Sequence, residues 1–148
     1  MIKKFLILEV ALIMCIGLFT GCGSGAKFKV GYGQQDAFGY ENSIVNSFDE
    51  FNAIFTEENL ALSPELKSKI GIYNESYFSE KALLVCVLSG YAGTSYSVKS
   101  IEQEGKTIFV NVKKKDPKQS TQQMRNWTFL LEVKKSDILD ATSIQVKI

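Results

Sequence analysis

The side chains that most often carry chemistry in proteins are scarce in this chain. Histidine is absent from the 148 residues, and the three cysteines are Cys15, Cys22 and Cys86. Without histidine, the Ser-His-Asp and Cys-His arrangements of nucleophilic catalysis cannot be built. Cys86 lies within an apolar run, where we expect a buried and unreactive thiol. The sequence therefore excludes hydrolases that depend on histidine.

The acidic residues and glycines give no signature of a metal or nucleotide site. One cysteine in the folded part and no histidine leave too few ligands for a zinc site. Asp49–Glu50 and Glu57–Glu58 are helix-end charges without the spacing of a calcium loop. Gly31–Gly33 lacks the lysine and the following helix of a phosphate loop. Paired carboxylates of the glycosidase type leave no sequence signature, and no feature supports them. We predict no cofactor, no metal and no enzyme activity.

Recognition of a partner by surface side chains is the class of function that remains. The segment Gly90–Ser95 follows the apolar run and carries Tyr91 between two glycines. Loops at the ends of rigid strands often bind partners, and aromatic and arginine side chains are enriched at binding hot spots. Trp127 shares its alternation with Phe129 and Leu131, so a core position is the favoured alternative for it. The candidate binding residues are Tyr91, Thr94, Tyr96, Arg125 and Trp127.

The N-terminal segment has the three-part layout of a secretory signal peptide. Two lysines precede the nearly continuous apolar run Phe5–Phe19, and two small residues precede Cys22. Leu18–Cys22 resembles the lipobox of bacterial lipoproteins. That resemblance implies cleavage before Cys22 and attachment of lipid, such as palmitate, to its sulfur. An uncleaved membrane anchor and a core helix are the alternatives.

We divide the chain into a signal peptide (1–21), a lipidated cysteine with a short tether (22–26) and a single β-rich domain (27–148). Cleavage would remove two lysines and one glutamate from 17 basic and 16 acidic residues, which leaves a neutral chain. A neutral domain has no general affinity for nucleic acid and no strong electrostatic steering. We expect it on the outer side of the cell membrane, held by its lipid.

The domain is organised around a strand with two apolar faces. Alternate residues of Leu83–Leu88 point to opposite sides, and both sets are apolar, which is typical of a central strand covered on both faces. Ser89–Ser95 is predicted to be a turn or loop. Tyr96–Lys99 then alternates as a half-buried strand.

Helices are predicted between the first strand and this central strand. Ser47–Glu50 has the form of a capping box, and phenylalanines at helical spacing follow it. We predict one helix from Phe48 to Glu58, whose phenylalanine stripe lies in the core, and a second from Ser63-Pro64 with Leu66 and Ile70 buried. Tyr73–Glu80 is interpreted as an aromatic connection that packs into the sheet.

The second half has short strands separated by turn signals. Phe28–Tyr32 is predicted to be a first strand, with a loop as the alternative, and an irregular stretch, Gly33–Asn42, follows it. The pattern favours an α+β, mainly β fold: an antiparallel β-sandwich or open barrel with one or two helices before the central strand. Open sheet edges are candidate docking sites by strand addition. The later strands and turns are predicted at Tyr96–Gln103, Glu104-Gly105, Thr107–Val112, the charged loop Lys113–Lys118, Trp127–Val133, Ser136–Ala141 and Ile144–Ile148.

One part of the domain resembles a known family. Tyr77–Lys134 looks like the C-terminal domain of the PrcB family, which are subunits of surface protease complexes. The resemblance lies in Tyr77-Phe78, the strand Leu83–Leu88, the loop and strand Gly90–Val98, and the late strand Trp127–Val133. It implies a β-rich, non-enzymatic module outside the membrane that assists or binds a protease.

Three functions are weighed on these grounds. The first is a surface-anchored protein-interaction module, protease-associated, with an exposed aromatic loop. The alternative is a small-ligand-binding lipoprotein that serves a transporter or sensor, which requires an enclosed apolar cavity with convergent polar groups. An enzyme with carboxylate or tyrosine chemistry ranks last.

Overall fold

The computed structural model describes residues 25–35, 41–55, 64–119 and 121–148. The predicted signal peptide, Cys22 and the first part of the tether lie outside the described residues, as do Glu57–Glu58 and Ser63. The described strands are β1 (Phe28–Gln35), β2 (Ser43–Val45), β3 (Lys81–Tyr91), β4 (Ser95–Glu104), β5 (Thr107–Lys115), β6 (Met124–Lys134) and β7 (Ser143–Lys147). The described helices are α1 (Phe48–Ile54), α2 (Pro64–Ile70) and α3 (Glu75–Glu80), and Lys135–Asp137 forms a single 3₁₀ turn.

Two sheets pack face to face and confirm the predicted mainly β sandwich. The first sheet has the strand order β1-β6-β3-β2, and the second has the order β4-β5-β7. All pairs are antiparallel except β5 with β7, which run parallel. The parallel pair arises because the 3₁₀ turn and the following bend carry the chain from the first sheet across to β5.

The predicted central strand is confirmed, and it is longer than the apolar run that marks it. Leu84 and Cys86 of β3 face the second sheet, and Leu83 and Val85 face the helices; all four are fully buried. Strand pairing with β6 extends β3 to Tyr91, opposite Met124. The predicted loop is therefore reduced to three residues, 92–94.

The helices form a third layer on the outer face of the first sheet. Ser47 caps α1 as predicted, its hydroxyl accepting from the Glu50 amide at 3.1 Å, and α1 ends at Ile54. The phenylalanine stripe lies in the core, with Phe51 and Phe55 stacked at 4.8 Å between ring centroids. Leu66 of α2 is fully buried, as predicted.

The segment Tyr73–Glu80 was wrongly interpreted as a connection. Its last six residues form α3, which makes a third helix where one or two were expected. The Asn74 side chain caps it by accepting from the Tyr77 amide at 3.0 Å. The aromatic side chains do pack into the layer, since Phe51 lies 5.5 Å from Tyr73 and 5.8 Å from Phe78 between ring centroids.

Two strand boundaries also differ from prediction in the first half. β1 continues to Gln35, into the stretch expected to be irregular, and residues 36–40 lie outside the described residues. Ser43–Val45, for which no element is predicted, forms β2 and pairs with Leu83–Val85 of β3. A three-residue strand carries too little alternation to be recognised in a sequence.

The β4–β5 hairpin turns where the sequence predicts it. Gly105 has φ +58°, a left-handed conformation that glycine adopts without a side-chain clash. The lysine run was expected to lie in a loop, but Lys113–Lys115 forms the end of β5 and pairs with Ser95–Ser97. The loop proper begins at Asp116.

Candidate functional site

The candidate site lies where the chain crosses from one sheet to the other. β3 ends at Tyr91 in the first sheet and β4 begins at Ser95 in the second. The crossing is held at both ends, because Ala92 N–H donates to Gln123 O at 2.8 Å and Thr94 N–H donates to Tyr91 O at 3.0 Å. Gly93 has φ +90°, and a Cβ there would lie 3.1 Å from Pro117. The crossing is therefore a fixed turn at the end of two rigid strands.

Tyr91 is the predicted site residue that reaches the surface at this end. Its side chain is 49% exposed, and Met124, directly opposite in the β3–β6 register, is 57% exposed. Two large apolar side chains thus stand side by side at the end of the first sheet. Met124 was not among the predicted site residues, because its role depends on a strand pairing that the sequence does not display. We call Tyr91 and Met124 the exposed pair.

Thr94 and Tyr96 lie inside the protein. Thr94 is 1% exposed, and its hydroxyl donates to Asp116 Oδ1 at 3.4 Å. Tyr96 is 7% exposed, and its hydroxyl donates to the Ser89 carbonyl at 2.9 Å. Both side chains brace the crossing instead of presenting a surface, so of the three predicted site residues in this segment only Tyr91 is free to touch a partner.

Trp127 packs on the core between the sheets. This is the core position that its alternation with Phe129 and Leu131 favours over a binding role. Its ring meets Tyr96 edge-on at 5.9 Å and stacks with Phe129 at 6.2 Å between centroids. The indole Nε1 is buried without a hydrogen-bond partner among the described residues. Arg125 is half-buried and lies opposite Gly90 in the β3–β6 register, beside the exposed pair.

Lys114 is a basic side chain that lies near Tyr91. Lys114 Nζ lies 3.1 Å from Asp116 Oδ1, and the hydrogen bond and charge of Asp116 raise the pKa of Lys114. Asp116 thus contacts both Thr94 and Lys114, which ties the end of β5 to the crossing. Lys113 and Lys115 are exposed on the same strand end. This end of the sandwich therefore carries the exposed apolar pair and exposed lysines of β5.

Burial favours the neutral forms of Cys86 in the first sheet and of Tyr73 and Tyr77 in the helix layer. Burial raises the pKa of the Cys86 thiol to about 12, so the nucleophilic thiolate is disfavoured. Burial, with the nearby Glu132 charge, also raises the pKa values of Tyr73 and Tyr77. Among the described residues, no group of three or more acidic or cysteine side chains could hold a metal ion.

A surface groove lies far from the exposed pair, between β2 and the segment entering β7. It has a volume of about 590 Å³ and is open to solvent. It is not the enclosed apolar cavity that the small-ligand alternative requires. In the part of the chain that the structure describes, none of the helices has the length and apolar character needed to cross a bilayer. The groove is lined by Asn42, Ser43, Ile44, Asn46, Ala141, Thr142, Ser143 and Ile144.

Comparison of the chain with protein-family models, with curated proteins and with solved structures finds no match, so the resemblance of Tyr77–Lys134 to the PrcB family stays a prediction.

Proposed function

We propose that this protein is an extracytoplasmic lipoprotein, anchored to the cell membrane through Cys22, that acts as a non-catalytic protein-interaction module. The observation that carries the proposal is the lipobox-like sequence Leu18–Cys22, placed three residues before the chain joins the sandwich at Gly25. Lipid on Cys22 would place the domain directly against the membrane surface.

The start of the described chain supports a short attachment. Ala26 N–H donates to Ile101 O of β4 at 2.9 Å, so the chain is already held to the sandwich at this point. The three peptide units between Cys22 and Gly25 span at most about 11 Å. The edge formed by β1 and β4 is thus the part of the domain nearest to the proposed anchor.

The exposed pair supports the interaction part of the proposal. Tyr91 and Met124 expose apolar surface at a fixed strand end, and aromatic and methionine side chains are enriched in interface cores. The exposed Lys114, which lies near Tyr91, is a charged neighbour of the kind found at the polar rims of interfaces. The pair lies at the opposite end of the strands from the Glu104-Gly105 turn, and therefore away from the point where the tether joins β4.

A protease is the partner class we propose, and this choice rests on the resemblance to the PrcB family. The segment concerned contains β3, the crossing and β6, so it contains both members of the exposed pair. The module would hold a protease or its substrate at the membrane without taking part in bond cleavage.

The anchor is tested by Cys22→Ser in the full-length chain. We expect the wild type to sediment with membranes and to incorporate labelled palmitate, and Cys22→Ser to lose the label. Cys15→Ser is the matched control and should retain both properties. Equal palmitate labelling of wild type and Cys22→Ser, or wild-type protein that still carries Met1–Gly21, would overturn this part of the proposal.

The interaction surface is tested by Tyr91→Ala in the anchored protein. Chemical cross-linking in intact membranes, followed by mass spectrometry, should give a cross-linked partner that is reduced at least about tenfold by Tyr91→Ala, as expected for a hot spot. Leu139→Ala is the matched control, since Leu139 is 68% exposed elsewhere on the surface. Cross-links of equal yield in wild type and Tyr91→Ala would remove the exposed pair from the interface.

A further inference from the structure

Two lysines at the end of β5 share the outer face of the second sheet. Lys113–Lys115 belongs to this strand, and successive side chains of a strand point to opposite faces of its sheet. Val112 is buried against the first sheet, so Lys113 and Lys115 lie on the opposite, outer face, where both side chains are exposed. Pairing of the strand therefore fixes two positive charges about 7 Å apart along one face.

The register shift in β4 brings a third lysine to the same place. The pairing of β4 with β5 skips Lys99, which is an extra residue between the paired Val98 and Ser100. An extra residue of this kind bends the strand and re-aims the side chain. Lys99 is exposed and lines the same surface depression as Lys113 and Lys115. Three ammonium groups from two strands thus surround one depression.

Two serine hydroxyls lie beside these ammonium groups. Ser95 is directly opposite Lys115 in the β4–β5 register, and Ser97 is directly opposite Lys113. Directly opposite residues have Cβ atoms about 5 Å apart, so each serine neighbours one lysine. Lysine can only donate hydrogen bonds, and serine can donate one. We call this open depression, which has a volume of about 230 Å³, the lysine depression; it is lined by Ser95, Tyr96, Ser97, Lys99, Lys113 and Lys115.

The charge of the lysine depression is not neutralised by the acidic side chains that the structure describes. Asp116 pairs with Lys114, and Lys114 lies opposite the buried Tyr96 instead of on the outer face. No described carboxylate forms an ion pair with any of the three lysines of the depression. The acidic residues of β4, Glu102 and Glu104, follow toward the turn at the other end of the hairpin. The lysine depression is therefore a local positive site on a chain that is nearly neutral as a whole.

We propose that the lysine depression binds a phosphate group, whose charge Lys99, Lys113 and Lys115 neutralise and whose oxygens accept from the two serine hydroxyls. Lysine binds phosphate as a point charge. A phosphate group carries up to two charges and three acceptor oxygens, which suits several donors better than the single charge of a carboxylate. The volume is below the about 300–1,000 Å³ of pockets for whole ligands, so it suits one anionic group and not an enclosed cofactor.

Titration of the purified full-length chain with inorganic phosphate, in a neutral detergent, tests both the binding and its place. Amide chemical shifts measured by NMR should change saturably at Ser97, Lys99 and Lys113, and should stay constant at the Glu104-Gly105 turn. Added sodium chloride should weaken the binding, because salt screens the attraction between exposed charges. Absence of a saturable change at the lysine depression, or equal changes at both ends of the hairpin, would overturn the proposal.

Charge substitutions test the role of the lysines. The double variant Lys113→Gln, Lys115→Gln should raise the dissociation constant for inorganic phosphate at least about tenfold, because two of three charge-assisted contacts are lost. The double variant Lys113→Arg, Lys115→Arg keeps the charges and should still bind. Lys106→Gln is the matched control, since Lys106 is an exposed lysine at the other end of the same hairpin. An unchanged dissociation constant in the glutamine variant, or an equal loss in Lys106→Gln, would overturn the proposal. Circular dichroism checks folding, and Lys99→Gln, outside β5, should weaken binding if the double variant does not fold.

Two further probes distinguish the sources of the phosphate group. Glycerophosphoglycerol carries the phosphodiester of an anionic lipid headgroup, and its tighter binding would place a membrane surface against the second sheet. Tighter binding of inorganic phosphate would assign a free phosphate, and equal binding would assign the phosphate group alone; all three results support the site. Succinate, a dianion without phosphate, or a hexaglutamate peptide that binds as tightly as either probe would overturn it. These titrations need no lipid on Cys22 and no protein partner, so their failure is distinct from failure of the proposed anchor or interaction surface.

Discussion

The two sheets of the sandwich are covered to very different extents. The first sheet has the second sheet on one face and three helices on the other, so Leu83–Cys86 of β3 are buried on both sides. Among the described residues, the second sheet has one covered face; its other face carries polar and charged side chains and the half-buried Phe109. The comparison teaches that the first sheet is buried on two faces and the second on one, so removing core volume should cost most in the first sheet.

The largest expected effects come from removing core volume on either side of β3. Leu84 faces the second sheet and Leu83 faces the helices, and both are fully buried. Leu84→Ala and Leu83→Ala should each lower the free energy of unfolding by about 2–5 kcal/mol, because each leaves a cavity. Urea unfolding measures both. A loss below about 1 kcal/mol for either variant would show that its face of the first sheet is loosely packed.

A smaller effect is expected where the chain passes between the sheets. A Cβ added at Gly90 would collide with the Tyr96 hydroxyl, which is fixed by its bond to the Ser89 carbonyl. Gly90→Ala should therefore lower the free energy of unfolding by about 1–3 kcal/mol.

Tyr96→Phe provides the control for this prediction. It removes the hydroxyl and its hydrogen bond, at a cost of about 1 kcal/mol by itself. Gly90→Ala should then cost less in the Tyr96→Phe background than in the wild type, a coupling that a double-mutant cycle measures. Strictly additive losses would mean that the crossing relaxes around the added methyl group without contact with Tyr96.

The dependence of stability on alkaline pH tests the burial of Cys86 in the first sheet without removing any core side chain. Burial raises the pKa of the Cys86 thiol from its ordinary value of 9.0 to about 12. The unfolded chain ionises first as pH rises, so stability present below about pH 9 is lost between about pH 9 and pH 12. The raised pKa values of Tyr73 and Tyr77 add a loss of the same sign from about pH 10.

Urea unfolding between about pH 8 and pH 10 measures this loss, which is at most about 1.4 kcal/mol per pH unit for each group. Cys86→Val is the matched variant, because it keeps an apolar side chain and removes the thiol. Its stability should fall less steeply above pH 9 than that of the wild type. Identical slopes, or rapid reaction of Cys86 with a thiol reagent in the folded protein, would contradict the complete burial of Cys86.

The same contrast explains which features could be predicted from the sequence. The central strand could be predicted because burial on both faces requires apolar residues at every position, as in Leu83–Leu88. The start of α1 could be predicted because the capping residues Ser47 and Glu50 are local. β2 and α3 could not, because three and six residues carry too little periodicity and owe their structure to packing on the first sheet.

The candidate site depends more on pairing than on local pattern, and was predicted less well. Tyr96 lies two residues before Val98 and shares its face of the strand, a signal that could have assigned Tyr96 to the interior. Met124 becomes the neighbour of Tyr91 only through the β3–β6 register, and β7 is placed at the edge of the second sheet by its parallel pairing with β5. Contacts between residues far apart in the chain leave no trace in a single sequence.

The smallest expected effect lies on the outer face of the second sheet. Lys147 Nζ lies over the Phe109 ring, and a cation–π contact at an exposed site contributes about 0.5–1 kcal/mol. Lys147→Gln should lower the free energy of unfolding by no more than about this amount, and Phe109→Leu, which keeps an apolar side chain, by a similar amount. The double variant should lose less than the sum, since both changes remove one contact. A loss above about 2 kcal/mol from Phe109→Leu would mean that this face is covered as well as the faces of the first sheet, and the contrast between the sheets would disappear.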